Sequence, residues 1–234
     1  MAQPIYLISG SKGGVGKSLF SMAVIDYHYA NDKNCILIES DTSNPDVYMC
    51  YSELVLSEAI NLDVSDGWIE LVNLCEENPD SIVIINSAAR SNTGITDFGG
   101  TLGELLGELD RKLITFWMVD DKKDGAELLL NFMDAMPNST VHVVRNEKAG
   151  NVENFYCSEM LQSGEIKING QTLSLPILNS KVANHLYNDR LSIEQVVVES
   201  TRFGKAKDQK IPMGNRGHMK DWRKTVHKII EQVI

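Results

Sequence analysis

With 234 residues, a net charge of −10, 43% apolar and 23% charged side chains, the chain has the composition of a globular protein built on one sizeable core. No apolar run approaches the roughly 18–20 residues a membrane-spanning helix needs, and the chain enters an apolar strand with no leader-like stretch, so a cytoplasmic protein is expected. Cys35, Cys50, Cys75 and Cys157 form no C-x-x-C pair and the five histidines no ligand-like cluster, which argues against a disulfide framework and a zinc site.

Short apolar runs alternate with longer amphipathic ones, the pattern of an α/β fold with a mostly parallel sheet flanked by helices on both faces. Strands are predicted at 5–9, 35–39, 81–86, 112–119 and 140–145, and helices at 18–31, 66–77, 101–110, 125–136 and 152–162. Gly103 and Gly107 weaken the third of these helices. Between 166 and 175, Asn169-Gly170 separates two short alternating runs and predicts a hairpin, with a last strand following at about 175–178. The segment 203–217 is rich in Lys, Gly, Asn and Gln and is expected to be a mobile link to a closing helix at about 218–233. No internal repeat is present, and the acidic stretch 51–80 carries no readable motif. A single domain over 1–234 is expected, with 201–217 as its basic, partly mobile segment.

The most informative stretch is S-G-S-K-G-G-V-G-K-S-L-F, residues 9–20, set between the first strand and the first helix. Strand, glycine-rich loop and helix is the context of a phosphate-binding loop. Gly13, Gly14 and Gly16 permit a tight turn that aims successive N–H groups at an anion, and the positive end of the helix adds to that field. Lys17 is placed to reach phosphates and Ser18 to ligate Mg²⁺. The strict G-x-x-x-x-G-K-[ST] pattern is missed at its first position, which is Ser11, and a second lysine stands at Lys12.

The run Lys12-Gly13-Gly14-Val15-Gly16-Lys17-Ser18 resembles the deviant Walker A loop of the ParA/MinD family of P-loop ATPases. The resemblance implies a P-loop NTPase fold, ATP and Mg²⁺ as cofactors held along residues 11–19 from Ser11 to Leu19, and an ATP-dependent homodimer. In it, Lys12 would reach across to the partner's nucleotide. Beyond the second strand, Asp41 matches the second of two family aspartates and would orient the attacking water or hold Mg²⁺ through one; Glu39 stands at the first. A turn or capping role is the plainer reading of Asp41, and Asp46 is a competing candidate. At the end of the third predicted strand, where the family has an aspartate, Asn86 can accept a hydrogen bond from a Mg²⁺-bound water but lacks the charge. Asn146, ending a late strand, stands where relatives contact adenine, or else is a turn residue; 175–183 resembles the family's late element.

Charge is unevenly spread. From Thr201 onward there are nine Lys/Arg and three Asp/Glu, against 13 and 29 in the rest of the chain. The basic region either binds DNA phosphates without reading sequence or is simply solvated. Trp222, Val226, Ile229, Ile230 and Val233 make an apolar helical face, either packed on the sheet or, as in MinD-type relatives, laid on a membrane. The expected function is a slow ATPase, stimulated by a partner protein, that switches dimerisation in plasmid partition or conjugative transfer, with catalysis resting on Lys12, Lys17 and Asp41. The alternatives are a MinD-like positioning ATPase, a metabolic ligase of the same superfamily, and a nucleotide-binding scaffold that hydrolyses little.

Overall fold

A run such as Ile5-Tyr6-Leu7-Ile8 has no polar side to offer water, so its strand has to be covered on both faces, and the computed structural model shows how. It describes residues 2–88, 92–120, 124–150, 153–156, 158–198 and 211–234. The strands are β1 (Ile5–Gly10), β2 (Cys35–Glu39), β3 (Leu56–Ala59), β4 (Ile82–Asn86), β5 (Leu113–Val119), β6 (Ser139–Asn146) and β7 (Thr172–Leu175). The helices are α1 (Lys17–Ala30), α2 (Asp46–Tyr51), α3 (Ser65–Glu77), α4 (Asn92–Phe98), α5 (Gly100–Leu105), α6 (Asp124–Ala135), α7 (Glu153–Tyr156), α8 (Glu159–Gln162), α9 (Ser180–Tyr187), α10 (Ile193–Val197) and α11 (Met213–Ile230).

The seven strands form one parallel sheet in the order β3-β2-β4-β1-β5-β6-β7. The chain leaves β1 toward one edge and, after β4, crosses to the other. The order therefore reverses beside β1, and ligands in such sheets bind beyond the carboxyl ends of the strands at that reversal. One core lies between the sheet and α1, α2, α9, α10 and α11, the other between the sheet and α3 to α6.

Helix α1 is buried on nearly every side, because α11 and α10 cover the face it turns away from the sheet. Its wholly buried Asp26 carboxylate accepts hydrogen bonds from Arg223 Nε and His227 Nε2, both at 2.7 Å, and Arg223 also pairs with Glu194. Met219, Trp222, Val226 and Ile230 turn the apolar face of α11 inward, and Trp222 Nε1 donates to Pro176 O at 2.9 Å. The apolar face of the last helix is thus spent inside the protein. Among the described residues no helix is long and apolar enough to cross a membrane.

Several expectations are corrected. The Asn169-Gly170 hairpin does not form, and β7 instead runs parallel to β6 over Thr172–Leu175, not at 175–178. The Asn169 side chain accepts the Val141 N–H at 2.7 Å and donates to Ser139 O at 2.9 Å, so it stitches the chain to β6 where a turn was expected. The helix predicted at 101–110 stops at Leu105, and the one at 152–162 is two short helices. The last helix begins at Met213, so 213–217 is helical, while 201–210 lies outside the described residues. Strand β3 was not foreseen, and neither was α2.

His28 stacks on Tyr6 with ring centroids 5.3 Å apart, and burial, helped by Lys33 and His227, pushes its imidazole down to about 4. As pH falls from about 6.5 toward 4, the unfolded chain takes up a proton that the folded chain refuses, and stability declines. His28→Phe is expected to flatten urea-melt stability across that window; a wild-type slope retained in the variant would count against His28.

Candidate functional site

Beyond the carboxyl end of β1 the loop from Ser11 to Gly16 turns into α1. Gly16 is the N-cap of α1, at φ 107°, and no side chain caps the helix. A β-carbon at Gly16 would lie 2.5 Å from Asn146 Nδ2, so glycine is required there on two counts, conformation and contact. Gly14, at φ 79°, faces open space. The first N–H groups of α1 are therefore presented to a ligand without competition.

A cleft of about 360 Å³ lies over this loop. Gly13, Gly14, Gly16, Lys17 and Ser18 form one wall, Asp41, Asn44 and Asp46 a second, and Asn86, Ser87 and Tyr187 the remainder. A larger hollow of about 810 Å³ beside α11 is lined by Lys220, Lys224, Lys228 and the Arg223 and Glu194 side chains, and has no glycine-rich loop. Lys17 is 7% exposed, and its ammonium donates to Lys12 O at 2.9 Å. Burial pulls its pKa down to about 8, against the opposing pull of Asp41. A buried ammonium short of counter-charge, beside unpaired amides, is a site for an anion of high charge such as a phosphate.

Lys12 sits at the rim with its side chain 40% exposed and forms an ion pair with Asp120, just past the end of β5. The Ser11 hydroxyl donates to the same carboxylate at 3.3 Å. Val15 is buried, its carbonyl taking a 3.0 Å bond from Asn146 Nδ2, and Leu19 packs on the core. Asn146 Oδ1 accepts from Lys148 N, so this asparagine braces the loop from below.

Asp41 Oδ1 accepts from the Ser43 hydroxyl at 2.7 Å and from Asn44 N at 3.1 Å, which folds 41–44 into a tight turn at the cleft wall. Asp46 opens α2, pairs with Arg190 and takes a bond from Asn44 Nδ2 at 2.9 Å. Behind both stands Glu39, wholly buried. Its Oε1 accepts from Asp41 N at 3.1 Å and Asn86 Nδ2 at 2.8 Å; its Oε2 accepts from Val47 N and Tyr48 N at 3.2 and 3.4 Å. Burial raises this carboxyl to about 7 in spite of those bonds. Asn86 Oδ1 in turn accepts from the Ser21 hydroxyl at 2.9 Å. The structure thus brings Lys12, Lys17, Ser18, Asp41 and Asn86 to one place. Asp120 and Tyr187 were not foreseen: Asp120 carries the signal of a polar residue directly after a buried strand, and Tyr187 carries none.

No protein-family model matches the chain. It is 45% identical over 236 residues to "Protein MobD" of Acidithiobacillus ferrooxidans, an alignment that covers 100% of this chain and 99% of that protein. The chain belongs to the MobD family. Among solved structures it is similar to the MinC:MinD cell division protein complex of Aquifex aeolicus, with TM-score 0.52, 13% identity, and 96% of each chain covered. It is also similar to a ParA family ATPase from Chlorobium tepidum TLS, with TM-score 0.50, 11% identity, and 95% and 98% covered. A third is the signal recognition particle receptor FtsY of Elizabethkingia anophelis, with TM-score 0.51, 10% identity, and 94% and 65% covered. At such identities the shared property is the fold, that of the P-loop NTPases to which ParA and MinD belong. This chain carries its glycine-rich loop directly after β1, beside the point where the strand order of the sheet reverses.

Proposed function

We propose that this chain is a Mg²⁺-dependent ATPase that acts as an ATP-driven dimerisation switch in the conjugative mobilisation or partition of plasmid DNA, in the cytoplasm. The observation that carries the reading is the division of labour between two lysines on one loop: Lys17 is buried in the cleft and Lys12 stands at its rim. Lys17 and the amides at the start of α1 suit the β- and γ-phosphates of ATP. The Ser18 hydroxyl and the Asp41 carboxylate are hard oxygen donors on the same cleft, as Mg²⁺ requires. The ion would neutralise developing phosphate charge, Asp41 would orient the attacking water, and Lys12 would add its charge to a partner copy's site. The name MobD, carried by the relative, supports mobilisation as the process.

Lys220, Lys224 and Lys228 form an exposed row along α11 and suit the phosphates of non-specific DNA, whereas Arg223 is committed to Asp26 and Glu194. A slow intrinsic rate, raised by an activating partner protein, accords with the uncharged Asn86 in the cleft. The same residue favours a second reading, a nucleotide-dependent scaffold that turns over little. Size-exclusion chromatography with ADP, ATP and a slowly hydrolysed ATP analogue, with and without DNA, tests the switch. The wild type should shift to a dimer with ATP, and Lys12→Ala should bind nucleotide yet stay monomeric. A dimer that forms equally in all nucleotide states, or that survives Lys12→Ala, would remove the switch.

A further inference from the structure

Glu39 does not line the cleft, yet two residues it holds, Asp41 and Asn86, do. It lies in the last position of β2, in register with Asn86 at the last position of β4. Its two oxygens take four N–H donors: the start of the cleft-wall loop at Asp41, the first turn of α2 that closes that loop at Val47 and Tyr48, and the Asn86 amide. A side chain that is 0% exposed and bonded at both ends of a loop fixes where the loop's own carboxylate stands. The same carboxylate also fixes Asn86. Only the orientation that points Nδ2 at Glu39 avoids oxygen facing oxygen, and it leaves Oδ1 to the Ser21 hydroxyl of α1.

We propose that Glu39 is the positioning residue for Asp41 and that Asn86 is its matched partner, so that the site depends on one acid and one amide in these two places. The kinetic consequence rests on the reading of the cleft as an ATP site. Giving β4 an acid does not improve the site, because Asn86→Asp sets a carboxylate against the wholly buried Glu39 carboxylate, in place of a donor and an acceptor.

The test compares wild type, Glu39→Gln, Asn86→Asp and the double variant Glu39→Gln/Asn86→Asp by melting temperature, ATP affinity and turnover. Asn86→Asp should lower the Tm by roughly 5 °C or more, and the double variant, which restores one acid and one amide, should recover most of it. Glu39→Gln should lower kcat about 10-fold or more with KM for ATP within about 3-fold, because Lys17 and the loop amides are untouched. Adding Asp41→Asn to Glu39→Gln should cost nothing further if the two act as a unit. Unchanged Tm or faster turnover in Asn86→Asp, or wild-type kcat in Glu39→Gln, would overturn the proposal. A wild-type chain that binds no ATP would overturn the nucleotide reading instead, and the four melting temperatures would still decide the pairing.

Discussion

Lys17→Met is expected to cost the chain roughly 100-fold in affinity for ATP, about 3 kcal/mol, and at the same time to make the ligand-free protein more stable. Both effects come from one circumstance. The ammonium is buried where its charged form is poorly solvated, which is why its pKa is drawn from 10.5 to about 8. A base with a depressed folded-state pKa contributes most to stability above its unfolded value, and that contribution is lost as pH falls through the folded one. At neutral pH the charge is therefore a burden on the empty fold, on the order of 3 kcal/mol, which methionine would relieve while keeping the aliphatic stem. Phosphate reverses the balance by supplying the missing counter-charge. Binding should then take up a proton above about pH 8, and affinity should fall as pH rises further. Calorimetry in buffers of different ionisation enthalpy would detect the proton, and a melting scan of both proteins would detect the relief. Binding unchanged in Lys17→Met would remove this lysine from the site.

Arg111→Ala should have the larger effect on the fold, about 4 kcal/mol, or roughly 10 °C in Tm for a chain of this size. The guanidinium lies at the opposite end of the sheet from the cleft, 5% exposed. It donates to Gln3 O and Ser81 O at 2.8 and 2.9 Å, to Cys75 O at 3.0 Å and to Asn78 O. Two of those carbonyls belong to the end of α3, where a cation also meets the negative end of the helix. The planar fork holds together the entry to β1, the end of α3 and the start of β4. Arg111→Lys should recover only part of the loss, since a compact ammonium cannot span the same acceptors. Guanidinium chloride melts of the three proteins would show this order, and ATP affinity should be the same in all of them.

The glycine-rich loop was legible because its geometry constrains residue type directly: at Gly16 both the dihedral angle and the contact with Asn146 exclude a β-carbon. The inner strands were legible because burial on two faces leaves uninterrupted apolar runs. Strand β3, Leu56-Ser57-Glu58-Ala59, was not, since an edge strand with most of its side chains in solvent has neither a run nor an alternation to read. Asn169-Gly170 misled for a different reason. Asparagine marks turns because its side chain satisfies backbone groups, and here the groups it satisfies belong to β6, not to a turn of its own. The motif residues Lys17 and Ser18 were found by their spacing in the loop, and Lys12 and Asp41 by the resemblance to the ParA/MinD family. The pairing of Lys12 with Asp120 and the role of Glu39 at the start of α2 were not, because each depends on how strands far apart in sequence are ordered in the sheet.

The clasp of Arg223 and His227 on Asp26 also bears on how the end of the chain can be studied. Deleting α11 would strand an anion in the interior of α1, almost three turns from the glycine-rich loop, and would uncover the apolar surface on which Trp222 rests. Truncations made to ask what the basic helix recognises would therefore report collapse around α1, whereas charge reversals at the exposed Lys220, Lys224 and Lys228 leave that interior intact and put the question to the helix surface alone.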